Sequence, residues 1–145
     1  MVTFDDLGAA IAARCAASAA FAAAVTGGLF FDRDDTDAAT PYGVCGIERA
    51  GDPEFDSGGG YTQAFTVRMV VYAELAKKDA NVIQLAMAAA MNTNPTGWAA
   101  LRAGRVMHCL PRGYDGKYAP KLKDGKGVFV SGGQWSLLVE GNLEA

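Results

Sequence analysis

A chain of 145 residues and 15.1 kDa is the size of one compact domain, and with 50% hydrophobic and 20% charged residues its composition is that of a folded protein, not a disordered one. A net charge of −3 and a pI near 5.0 argue against a protein that holds nucleic acid by neutralising many phosphates. Three cysteines, Cys15, Cys45 and Cys109, are an odd set without CxxC spacing, so they suggest neither a disulfide framework nor a zinc site and read as small core residues.

The charge is unevenly spread. Residues 32–56 hold eight carboxylates against Arg33 and Arg49, a net of −6, and residues 102–126 hold seven cations against Asp115 and Asp124, a net of +5. Complementary patches of this kind suit head-to-tail contact between identical copies, and two solvated segments of opposite charge are the plain alternative.

Thr3 followed by Asp6 approximates a capping box, and Phe4, Leu7, Ile11, Cys15 and Ser18 recur every three or four residues, which predicts a helix from about Phe4 to Ala24. The opening lacks a positive n-region and contains Arg14, and its apolar run is interrupted by Gly8, Arg14 and Ser18; a signal peptide and a membrane span are both disfavoured. The expectation is a soluble protein. After Gly27-Gly28, Leu29–Phe31 reads as a brief strand and Asp32 to Asp37 as an exposed acidic loop.

Pro41 opens a second strand through Ile47, with a bulge expected at Gly43 and Gly46. Ala50 to Gly60 reads as a turn-rich connection. From Tyr61 to Glu74, Phe65, Val67, Met69 and Val71 alternate with Thr66, Arg68, Val70 and Tyr72, a long strand with one apolar and one mixed face. Asp79 caps a second predicted helix in which Val82, Leu85, Ala86 and Ala89 form the core stripe, widened by Ile83, Met87, Ala90 and Met91.

Val106 to Leu110 reads as a strand ending at Pro111, and Pro111 to Gly127 as a flexible loop or an extended hairpin tip. In the last strand Trp135, Leu137 and Val139 face one way and Gln134, Ser136, Leu138 and Glu140 the other. The expected architecture is a single α+β domain over 1–145, a largely antiparallel sheet of four to five strands with two helices packed on one face.

Catalytic patterns are hard to assemble from these residues. The chain has one histidine, His108, and no G-x-S-x-G elbow; Cys109 is its strand neighbour and so faces the opposite way. Gly125-Lys126 is followed by Gly127, and Gly116-Lys117 by Tyr118, so neither continues as a P-loop. The Asp32–Asp37 cluster lacks EF-hand spacing. Tyr114, Lys117, Tyr118, Lys121 and Lys123 have the chemistry to stack on a single strand of nucleic acid, but they sit in an acidic chain. The expectation is therefore no enzyme, no cofactor and no metal.

The segments "AAAVTGGLFFD" (Ala22 to Asp32), "ATPYGVCGIE" (Ala39 to Glu48), "YTQAFTVRMVVYAE" (Tyr61 to Glu74) and "GQWSLLVEGNLE" (Gly133 to Glu144) stand in an order that resembles the tail terminator, or tail completion, proteins of long-tailed bacteriophages and phage-like particles. The stretch Pro111 to Gly127 is longer than that family's usual connection. The resemblance implies a virion protein at the head-proximal end of the tail, made in the host cytoplasm. Its expected partners are further copies of itself in a hexameric ring, the tail tube protein and the head connector, with DNA passing through the lumen without specific binding and no membrane contact. A head–tail connector or stopper ring is an alternative, as is a small ligand-binding α+β domain. The residues expected at ring contacts are Asp32, Asp34, Asp35 and Asp37, Arg68, and Lys117, Lys121, Lys123 and Lys126.

Overall fold

The computed structural model describes residues 1–31, 41–73, 77–91, 98, 101, 104–119 and 128–143. Within them the chain runs α1 (Phe4–Ala17), α2 (Ala19–Ala24), β1 (Leu29–Phe31), β2 (Tyr42–Arg49), β3 (Glu54–Phe55), β4 (Gly60–Ala73), α3 (Lys77–Met91), β5 (Arg105–Ala119) and β6 (Val128–Asn142). The architecture is α+β, as the periodicities indicate. It has six strands and three helices among the described residues, against the expected four to five strands and two helices.

The third helix arises from a break at Ser18. This residue is extended (φ −84°, ψ 111°), and its hydroxyl accepts the Phe21 amide at 3.3 Å. Serine competes for backbone donors in this way, so it ends one helix and caps the next. Thr3 caps α1 as expected, its hydroxyl accepting the Asp6 amide at 3.1 Å.

The sheet has the order β1-β2-β4-β6-β5, with β3 pairing β4 alongside, and every pairing is antiparallel except β1 with β2. β3 is the added strand. The Asp56 carboxylate accepts the amides of Gly58 (2.8 Å) and Gly60 (2.9 Å), and this closes a tight turn that folds Glu54 and Phe55 back onto Thr62 and Tyr61.

No bulge occurs at Gly43 or Gly46, where β2 pairs with β4 in unbroken register. Gly43 serves close packing instead, since a Cβ there would lie 2.9 Å from the Leu29 side chain. Nor does β5 stop at Pro111. Residues 111–119 continue the strand after a register shift between Pro111 and Gly113, and a second shift lies between Val106 and His108. β5 ends the sheet, and a residue without an amide donor is tolerated on such an edge.

Burial in β4 alternates without exception from Tyr61 to Ala73, because the odd-numbered residues face the helices. Phe65, Val67, Met69, Trp135, Leu137 and Val139 are buried there, together with Leu7, Ile11, Phe21, Met87 and Met91. Cys15, Cys45 and Cys109 are free, buried thiols, as expected of small core residues.

In α3 the core stripe is Ile83, Ala86, Met87, Ala90 and Met91, whereas Val82 and Leu85 are 57% and 70% exposed and Ala89 is exposed too. The expected stripe was rotated by about a quarter-turn, because alanines on every side of this helix leave the periodicity of its apolar residues without a sharp direction.

The amino-terminal residues are tied to the sheet. Buried Gln63 accepts the Val2 amide at 3.0 Å, and its own amide donates to the Val2 carbonyl at 3.4 Å. Gln63→Leu will lower the unfolding free energy by about 1–3 kcal/mol, since both Val2 groups lose their partner in a dry site. Urea titration checks this, and an unchanged midpoint would show that the tether contributes nothing.

Candidate assembly surface

The even-numbered face of the sheet has no described helix over it. Val44, Gly46 and Glu48 of β2 stand beside Val70, Arg68 and Thr66 of β4, and these in turn stand beside Gly132, Gln134 and Ser136 of β6. Arg68 is exposed at the middle of this face, between a shallow hollow of about 410 Å³ toward β2 and a smaller one toward Tyr114 and Asp115. Tyr42 and Tyr72 stack at its upper margin with centroids 5.2 Å apart.

Further polar groups complete the face. Arg105 forms an ion pair with Glu140, and Arg112 Nε donates to Ser136 Oγ at 2.7 Å. The Arg105–Glu140 pair is well exposed, so its expected worth is small and its role is to hold two charges in register. Charge is also sorted along the strands. Glu54, Asp56 and Glu140 lie near the end where β4 begins, and Lys117, placed by its main chain opposite Val130, lies near the end where β4 finishes.

Of the expected contact residues, Arg68 therefore sits where a partner can reach it, and Lys117 lies on the edge strand. Asp32, Asp34, Asp35, Asp37, Lys121, Lys123 and Lys126 lie outside the described residues. Arg105, Arg112, Gln134 and Glu140 share the face of Arg68 and had not been singled out. Their signal was the outward parity of Gln134, Ser136, Leu138 and Glu140 in the last strand.

His108 pairs with Leu138 and Cys109 with Leu137, so the two occupy opposite faces, as strand geometry requires. Near the core, the Arg14 guanidinium lies 4.7 Å from the centre of the Trp98 ring. Burial pushes the Cys15 and Cys109 thiols up to about 12, and the charge of Arg14 pulls them partly back. Both stay protonated near neutral pH and are poor nucleophiles. Among the described residues no group of three or more His, Cys, Asp or Glu side chains is arranged to hold a metal ion, and no helix is long and apolar enough to cross a membrane.

No protein family and no curated protein matches this sequence. The fold does match a solved one, a chain from the virion of the native gene transfer agent particle. The two superpose with a TM-score of 0.66 at 18% identity, covering 96% of this chain and 100% of that one. At that identity the likeness is one of fold, end to end.

Proposed function

We propose that this chain is a structural virion protein that caps the end of a phage-type tail tube as a ring, halting tube polymerisation and forming the surface that joins the tail to the head. The observation that carries this reading is the fold shared along the whole chain with a component of a gene transfer agent virion.

The character of the surface supports it. One side of the sheet is committed to a hydrophobic core, and the other presents a broad polar face with fixed cross-strand contacts and no deep enclosed pocket among the described residues. A flat polar face of this kind suits recognition of a protein surface better than capture of a small molecule. Capping then works by shape, in that one side of the ring matches the last tube ring and the other offers no seat for another tube subunit. Arg68, the acidic segment Asp32–Asp37 and the basic residues Lys117 to Lys126 are the proposed contact groups.

The test is to add the purified protein to polymerising tube subunits from the same particle. Tubes bearing a terminal ring, and growth that stops, are expected; unimpeded growth would sink the reading, and a ring that binds the head connector alone would move the protein to the stopper class. Lys121→Glu combined with Lys123→Glu is expected to weaken ring formation severalfold without changing the melting temperature, as read by light scattering and calorimetry.

A further inference from the structure

We propose that neighbouring copies in this ring join by strand addition, the short edge strand β1 of one copy pairing antiparallel with the upper half of edge strand β5 of the next, around residues 114–116. This inference rests on the ring reading above and specifies how its subunits meet.

The sheet ends in β1 on one side and β5 on the other, and no described strand pairs with the outer edge of either. An open edge carries unmet amide and carbonyl groups and is a template for a further strand. The two edges fit each other in direction. β1 runs parallel to β2 and β5 runs with β4, while β2 and β4 are antiparallel, so β1 and β5 run in opposite senses.

They also fit in height. Across the sheet Phe30 is level with Val44, Val70, Gly132 and Asp115, and Phe31 is level with Cys45, Met69, Gly133 and Tyr114. Rotation about an axis parallel to the strands moves a copy sideways without shifting its height. Such a rotation sets β1 of one subunit against residues 114–116 of its neighbour, antiparallel and with Phe30 and Asp115 on the same sheet face.

The chemistry of the two edges agrees with this pairing. The main-chain carbonyl of Asp115 accepts from the Gln84 side chain at 3.0 Å, so it points away from β6, and its second lone pair stays open to a further donor. This part of β5 lies beyond Pro111, where every residue has an amide to offer. In the sequence, β1 leads directly into Asp32, Asp34, Asp35 and Asp37, whereas β5 carries Arg112 and Lys117 and leads into Lys121, Lys123 and Lys126. Opposite charges thus flank the two edges that the geometry brings together, which favours a head-to-tail contact over a two-fold one.

The experiment is disulfide trapping with Phe30→Cys and Asp115→Cys in one chain. Within a subunit these positions are four strand spacings apart, roughly 19 Å, far beyond the ~7 Å limit for a disulfide, so a bond between them must join two copies. The native thiols are all buried and do not compete.

Oxidation is expected to give a ladder of covalent multimers that reductant collapses, with neither single variant giving more than traces. Rings in negative stain without a ladder would overturn the strand pairing and leave the ring reading standing. Abundant dimers of the Asp115→Cys single variant would overturn it in favour of β5 pairing with itself. Absence of both rings and ladder at every concentration would overturn both ideas. Should the double variant fail to fold, hydrogen exchange on the unaltered protein decides: the amides of residues 113–117 must slow at least tenfold on assembly, and equal rates overturn the pairing.

Discussion

Trp135→Ala will lower the unfolding free energy by about 3–5 kcal/mol, the largest loss expected from any single truncation in this chain. The side chain is fully buried, lies over Gly133 in place of a Cβ, and meets the Tyr114 ring edge-on with centroids 5.8 Å apart. Its strand position sets it between Val67 and Pro111, so its removal empties a site ringed by main chain from three strands that cannot collapse into the gap. Gly133→Ala attacks the same joint from the other side by driving a methyl group into the indole ring. Guanidinium titration of both variants checks this pair, and a loss below about 1 kcal/mol for Trp135→Ala would place the indole outside the core.

The second large effect separates two neighbouring residues of α3. Ile83→Asp puts a carboxylate where exposure is 1%, and an unpaired buried charge costs several kcal/mol, enough to unfold much of the population of an ordinary domain. Leu85→Asp, at a position 70% exposed, will change stability by no more than about 0.5 kcal/mol. Far-ultraviolet circular dichroism during urea titration distinguishes them. Equal effects would mean that the helix is rotated from the phase described here.

These two predictions also show what was legible in the amino acids and what was not. Period-two alternation in β4 and β6 marked Phe65, Val67, Met69, Trp135, Leu137 and Val139 as core, because a strand has only two faces and the choice is binary. A helix offers a continuous circle of directions, and alanine distinguishes them weakly, so the inward stripe of α3 was misassigned. Ser18 looked like a member of an apolar stripe because its capping role depends on a backbone angle that spacing does not report. The extension of β5 past Pro111 was hidden by a residue that ordinarily ends strands, and only its place on a sheet edge makes it tolerable. Arg68 was placed correctly on the mixed face, but its companions Arg105, Arg112, Gln134 and Glu140 come from strands distant in the chain. Register, which no local pattern encodes, brings them together.

The interruptions in β5 bear on how such a protein waits before it is used. Fifteen uninterrupted residues of open edge would be a strong seed for runaway fibre growth, since any extended chain of the same kind could zip along it. Pro111 and the two register shifts divide that edge into short segments, each too small to hold a stranger for long. Only an approach that also matches the short opposite edge and its charges gains enough contact to persist. The irregular edge therefore acts as a filter, slowing indiscriminate clumping while leaving one orderly mode of self-association open.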